Sequence, residues 1–224
     1  MAGFKTILFD LDGTLIDHFE AIHRCHVETM THFGLPAPTM LQVRNAVGGG
    51  LEVAVERLFG REHAALLEQA IPFYRACWPK YLLVGVKPLP GAVELLTRLH
   101  AGGTACAIFT NKHGPSAREL CGHLGMTPFL REIFGAFDTP WLKPQREFSD
   151  HVLKTLGADP KTTLLVGDSP YDVQAARNGG FPAWCVTTGT HTRGELVAAG
   201  ADAVYDSLPQ VSTALAQTGL SRNK

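Results

Sequence analysis

This 224-residue chain lacks any bias toward a polyanion. Lys plus Arg number 20 against 21 Asp plus Glu, a formal net charge of -1 with neutral histidines. No net field therefore recruits nucleic acid or an anionic membrane surface. Long hydrophobic runs are also missing: the apolar stretches are strand-sized and broken by Asp, Gly or Lys, well short of a spanning helix. The five cysteines (Cys25, Cys77, Cys106, Cys121 and Cys185) are odd in number, scattered and without a CxxC pair. That pattern argues against a disulfide framework and for reduced thiols. No internal repeat or low-complexity segment occurs. The opening Met-Ala-Gly-Phe-Lys-Thr leads directly into a strand-like run and leaves no room for a signal peptide. The expected compartment is the cytoplasm, with neither nucleic acid nor membrane as partner.

What is present is ordinary globular material, 45% hydrophobic and 18% charged. The length suits one large α/β domain, or a domain with a smaller companion. Short apolar runs alternate with helical patterns, the sequence form of a parallel sheet with crossover helices. Strands are expected at Thr6 to Phe9, Ala105 to Phe109, Thr163 to Val166, Ala183 to Val186 and Ala203 to Tyr205. Helices between them carry clear stop signals: Gly102-Gly103, Gly157, and Gly179-Gly180. From about Asp17 to Val86 no strand pattern occurs, only helical stretches broken by Gly34-Leu-Pro-Ala-Pro38, Gly48-Gly49-Gly50 and Gly60. The expected fold class is α/β, a Rossmann-like parallel-sheet core over residues 1–16 and 87–224 with an inserted α-helical domain over 17–86.

The chemistry falls at strand ends. Asp10-Leu-Asp-Gly-Thr14 follows the first strand, and alternation would put both aspartate side chains on one side, with Leu11 on the other. Thr110-Asn111-Lys112 follows the second, offering a hydroxyl and backbone N–H groups where a helix should begin, a natural anion seat. Gly167-Asp-Ser-Pro-Tyr-Asp172 follows the third. Open parallel sheets bind ligands at the carboxyl ends of their strands. Four aspartates converging there repel one another, so the cluster calls for a bound cation, and hard oxygen ligands suit Mg²⁺. Each piece alone has a plainer explanation. Asp-x-Asp arises by chance, Thr110 could be a helix cap, Lys143 a surface lysine, and Asp172 a first-turn acid favoured by the helix dipole. The ordered set, each member after its own strand, is the specific signal.

That set resembles the four motifs of the haloacid dehalogenase-like superfamily of aspartate-nucleophile phosphatases, over essentially the whole chain. Phe9-Asp-Leu-Asp-Gly-Thr14 is similar to the first motif, Phe109-Thr-Asn-Lys112 to the second, Lys143-Pro144 to the third and Gly167-Asp-Ser-Pro-Tyr-Asp172 to the fourth. The insertion resembles, in place and length, the α-helical cap of the phosphoglycolate phosphatase-like branch, as do Leu89-Pro-Gly91 and Gly179-Gly180. One departure is visible: the branch usually has Pro-x-Pro after its lysine, whereas here Lys143-Pro-Gln-Arg-Glu lacks the second proline.

The resemblance implies a phosphoric monoester hydrolase with Asp10, Asp12, Thr110 and Lys143 as catalytic residues. Asp10 would be the nucleophile and Asp12 the acid–base. Thr110, Asn111 and Lys143 would seat the phosphoryl oxygens. Mg²⁺ would be held by Asp10, the Asp12 carbonyl and Asp168. Asp172 would lie beyond the direct ligands, orienting Lys143 or a metal-bound water. The substrate implied is a small phosphate ester, phosphoglycolate or a sugar phosphate, chosen by cap side chains; a monomer and a homodimer are both compatible. Two alternatives use the same scaffold: a phosphomutase of the β-phosphoglucomutase type, which the small Thr14 disfavours, and a non-catalytic binding module, which the intact acid groups disfavour. His18, His23, His26 and His32 lack a third or fourth ligand at suitable spacing for a soft metal and are expected as solvated or capping histidines.

Overall fold

The computed structural model describes residues 3–220, and the chain divides into two compact units. One comprises the chain up to Ile16 and from Pro88 onward; the other is Asp17–Lys87. The elements run in the order β1 (Thr6–Phe9), β2 (Ile16–Asp17), α1 (Phe19–His32), α2 (Met40–Ala46), α3 (Leu51–Phe59) and α4 (Leu67–Tyr81). There follow β3 (Lys87–Pro88), α5 (Ala92–Ala101), β4 (Ala105–His113), α6 (Gly114–His123), β5 (Glu132–Ala136) and α7 (Arg146–Leu156). The chain continues with β6 (Thr163–Gly167), α8 (Pro170–Gly179), β7 (Ala183–Val186), α9 (Arg193–Ala199), β8 (Ala203–Tyr205) and α10 (Leu208–Leu220).

In the first unit six strands form one parallel sheet in the order β5-β4-β1-β6-β7-β8. β1, at the centre, is Thr-Ile-Leu-Phe with every residue buried. A strand covered on both faces needs this continuous apolar character rather than alternation. The helices supply one apolar face each; in α5, Ala92, Leu95, Leu96 and Leu99 recur at helical spacing and are buried. Gly157 and Gly180 end α7 and α8 in left-handed conformation, the stop signals read from sequence. A core cluster joins Phe109, Phe134, Phe148, Val152, Leu165 and Val173, packing the strands that carry the chemistry against α7 and α8.

Two expectations about strands need correction. β4 does not stop at Phe109 but runs through Thr110, Asn111 and Lys112 to His113, so these three residues lie on extended backbone and the helix starts only at Gly114. β5 was not expected. It begins with an exposed Glu132 and contains Gly135, so it carries little β-propensity of its own. It exists because it pairs with β4 at the sheet edge.

The second unit is helical. Met30, Val55, Phe59 and Ala70 form its own small core, with Phe33, Leu51 and Leu58 packed around them. Glu28 on α1 gathers three donors from α4: Lys80 Nζ at 2.8 Å, the Tyr81 hydroxyl and, at 3.7 Å, the Cys77 thiol. The histidines are not uniformly solvated as expected. His18 is buried with Nε2 2.6 Å from the Leu82 carbonyl, and His26 is buried against the Tyr74 ring at 4.6 Å. No helix among the described residues is long and apolar enough to cross a membrane.

Burial, then the neighbouring His23, pushes the His26 pKa down to about 3. The folded protein therefore holds this ring neutral while the unfolded chain protonates it below about 6.5. Between those two values the unfolded state binds more protons, so stability falls as pH falls. Thermal melting followed from pH 7 to pH 5 should show a declining midpoint for the native chain and a shallower decline for His26→Phe. Identical slopes would mean that His26 takes no part in acid sensitivity.

Candidate active site

Strand register sets the site. Phe9 pairs with Ile108 on one side and Val166 on the other, so β1, β4 and β6 end nearly level. The chain passes from β1 outward through β4 to β5 and then returns to β6 on the opposite flank. That reversal makes the crevice at these strand ends the natural ligand position of an open parallel sheet. Asp10, Thr110 and Asp168 all fall there. Lys143 arrives on the loop between β5 and α7, and Asp172 sits in the first turn of α8.

Lys143 is the centre of the arrangement. Its ammonium lies 2.6 Å from Asp172 Oδ1 and 2.9 Å from Asp10 Oδ1, with the side chain almost wholly buried. Asn111 holds the lysine's backbone at two points, accepting from the Lys143 N–H at 2.7 Å and donating to its carbonyl at 2.9 Å. The Asn111 amide thus bears on the site by fixing Lys143. Gln145 closes the same loop, its backbone N–H donating to the Leu142 carbonyl and its side-chain oxygen accepting from the Leu142 N–H, both at 2.7 Å. The missing second proline is accounted for here. It corresponds to Arg146, the first residue of α7, where proline is favoured but any residue fits.

Asp172 plays two parts at once. While Oδ1 receives Lys143, Oδ2 accepts from the backbone N–H of Asp168 at 3.2 Å, that of Ser169 at 3.0 Å, and the Ser169 hydroxyl at 2.6 Å. The cap reading and the site reading of this residue are both realised, one per oxygen. Asp168 accepts from the Thr14 hydroxyl at 3.0 Å. Its approach requires bare backbone nearby. A Cβ on Gly189 would stand 1.7 Å from Asp168 Oδ2, and one on Gly13, whose φ is +83°, would stand 2.8 Å from it. The Thr188 hydroxyl donates to the Gly13 carbonyl at 2.7 Å and ties the loop after β7 to the first motif.

Asp12 is arranged differently from Asp10. Its carboxylate pairs with Lys112 Nζ at 2.8 Å, and both side chains are largely buried. Carboxylate oxygens of Asp10, Asp168 and Asp172 lie within 4.8 Å of one another, so these three could hold a metal ion. Sequence reasoning singled out Asp10, Asp12, Asp168, Asp172, Thr110 and Lys143, and the structure brings all six to this edge of the sheet. It gave no part to Lys112, Ser169 or the Thr188-Gly189 turn. Lys112 stood inside a quoted motif, but nothing in the spacing pairs it with a residue 100 positions earlier.

The electrostatics are lopsided. Asp12 pairs with Lys112, while Asp10 and Asp172 share Lys143. Burial raises the Asp10 pKa; Lys143 opposes this, Asp172 adds to it, and a hydrogen bond with Thr110 opposes it. Burial, then the charges of Asp10 and Asp172, hold the Asp168 carboxyl well above the usual range. For Lys143, burial alone would favour the neutral amine, but Asp10 and Asp172 outweigh it and keep the ammonium charged. The carboxylates of Asp10, Asp168 and Asp172 crowd together beside Lys143, an arrangement that a divalent cation would ease. A set of hard, buried oxygen donors of this kind fits Mg²⁺.

Comparison with known proteins agrees with this geometry. Residues 7–186 match the family described as haloacid dehalogenase-like hydrolase. The chain is 34% identical over 205 residues to a phosphoglycolate phosphatase of Yersinia pestis, covering 88% of each. It is 32% identical to one of Caulobacter vibrioides, covering 93% of this chain and 90% of that one. Its fold matches a haloacid dehalogenase-like family protein from Streptococcus pneumoniae with a TM-score of 0.86 at 23% identity, over 96% of this chain and 99% of the other. The chain belongs to the haloacid dehalogenase-like hydrolases, in the branch that holds the phosphoglycolate phosphatases. Its activity is that of a phosphoric monoester hydrolase.

A raised carboxyl pKa in the fold means that stability is lost as pH rises from the ordinary carboxyl range to the shifted value and stays lost above it. At pH 7.5 in chelator, Asp168→Asn should therefore melt above the native protein, by about 2–4 °C for each kcal/mol relieved in a chain of this size. A lower midpoint for the variant would show that Asp168 is stabilising as a carboxylate even without a cation.

Proposed function

We propose that this protein is a Mg²⁺-dependent phosphatase that hydrolyses a small organic phosphate monoester, phosphoglycolate or a close analogue, through an aspartyl-phosphate on Asp10. The observation that carries the reading is the setting of Asp10: a buried carboxylate paired with Lys143 at 2.9 Å, its oxygens grouped with those of Asp168 and Asp172. The relatives called phosphoglycolate phosphatase support the choice of substrate.

Asp10 attacks phosphorus in line with the ester oxygen, so the new carboxylate–phosphorus bond forms as the phosphorus–oxygen ester bond breaks. The departing alkoxide takes a proton from Asp12. In the second half Asp12 removes a proton from water, whose oxygen displaces the carboxylate and releases inorganic phosphate. The Thr110 hydroxyl and the Lys143 ammonium hold oxygens of the transferring group and offset the charge they share with Asp10. Asp172 does not need to touch the phosphate: with one oxygen on Lys143 and the other on three donors of its own helix cap, it aims the lysine. Asp10 and Asp168, with the Asp12 carbonyl, would hold Mg²⁺, which supplies the positive charge that lets a carboxylate approach a phosphate dianion.

Retention of the phosphoryl group for transfer to a sugar would use the same residues, so the fate of the phosphoenzyme is the discriminating measurement. With p-nitrophenyl phosphate the leaving group needs little protonation, yet the second step still needs a base. Asp12→Ala should release a burst of about one p-nitrophenolate per active site and then turn over slowly, having lost the ~10²–10⁴-fold assistance of an acid–base group. Asp10→Asn should give no burst and no turnover. A steady rate without a burst in a folded Asp12→Ala protein would remove the acid–base role from Asp12.

Mg²⁺ binding itself is measurable apart from activity. Millimolar Mg²⁺ should raise the melting midpoint of the native protein, because an ion that binds only the folded state stabilises it by mass action. Asp168→Asn should lose most of that gain. An equal gain in both proteins would place the ion elsewhere.

A further inference from the structure

The ion pair between Lys112 and Asp12 is the part of the site that the hydrolytic cycle does not by itself require. An acid–base carboxyl works by exchanging protons, and a cation at 2.8 Å favours its ionised form, whereas the first half of the cycle needs it protonated. Both groups are largely buried, the Lys112 side chain 7% exposed, so the pair is not an incidental surface contact. Lys112 is also held in place. It sits on the extended backbone of β4, three residues past Phe109 and the core, and its N–H donates to the Thr110 hydroxyl at 3.2 Å.

The position of Lys112 matters because of where the leaving group must be. For Asp12 to protonate the departing oxygen, that oxygen has to lie within hydrogen-bond reach of its carboxyl. Whatever the substrate carries a few bonds further on is then near Lys112 as well. In phosphoglycolate the carboxylate oxygens are three bonds from the ester oxygen. Such a carboxylate would face Asp12 in a site that already holds an excess of negative charge, and with little water to screen it. It is tolerable only beside a cation.

We infer that Lys112 is the receptor for the substrate's carboxylate, so that the sheet core itself selects phosphate esters bearing a carboxylate on the ester carbon. This rests on the phosphatase reading above and extends it: discrimination is not left to the helical unit alone. Lys112 has a second effect in the same place, holding Asp12 toward the leaving oxygen before substrate arrives.

The two effects separate when paired esters are compared. Phosphoglycolate and 2-hydroxyethyl phosphate have similar length and the same kind of leaving oxygen but differ in charge. Initial rates with both should be measured for the native protein, Lys112→Met and Lys112→Gln, with melting curves to establish folding. Gln keeps a donor for Asp12 and carries the test if Met does not fold. The native protein should prefer phosphoglycolate. The variants should lose about 10- to 100-fold in kcat/KM for it, mainly through KM, the worth of a hydrogen bond between charged groups. The loss for 2-hydroxyethyl phosphate should be far smaller, so the preference collapses. Equal losses for both esters would overturn the inference and leave Lys112 as a residue that only positions Asp12. A native protein without preference would overturn it too, with the phosphatase reading intact. A native protein that hydrolyses neither ester would remove that reading and this one together.

Discussion

Lys143 is a charged amine almost entirely cut off from water, and the rest of the site is arranged around keeping it so. Transfer of an ammonium out of water is strongly unfavourable unless paired charges and hydrogen bonds compensate. Asp10 and Asp172 provide the charges. Asn111 provides the geometry by gripping the backbone on both sides of the peptide unit. Asp172 can hold its oxygen toward the lysine because its other oxygen is tied into the start of α8. Asp10, Lys143, Asn111 and the start of α8 are therefore one connected network rather than neighbouring features.

The network leaves its charges unbalanced, which is a functional property. A fully compensated cluster would have no affinity for a cation and no reason to admit a phosphate. Here burial raises the carboxyl pKa values of Asp10 and Asp168, a sign that ionised oxygens are being held where they are not comfortable. Binding a divalent ion would relieve this repulsion. Close packing makes this possible. With side chains at Gly13 and Gly189, Asp168 could not stand where it does.

The helical unit and the sheet unit are organised on different principles. The sheet unit uses continuous apolar strands and a large shared core, whose rigidity keeps the ends of β1, β4 and β6 level. The helical unit has a much smaller core, and its polar ties, such as the three donors on Glu28 and the buried His26, carry more of its specificity. Burial of His26 makes it sensitive to acid.

Much of this architecture was legible before any coordinates. The apolar run Thr6 to Phe9 and the glycines after α7 and α8 determine their elements locally, because a doubly covered strand and a left-handed helix stop each demand particular residues. Asp10, Asp12, Thr110, Asp168 and Asp172 stood out by residue type and strand-end position together, whereas Lys143 was singled out only by the family resemblance. Tertiary structure decided the rest. β5, with a glycine and an exposed glutamate, is a strand only because β4 offers it an edge. β4 itself runs on to His113 for the same reason, carrying Thr110 and Lys112 on extended backbone. The partner of Lys112, the double duty of Asp172 and the burial of His18 and His26 depend on contacts between residues far apart in the chain, which no local pattern encodes.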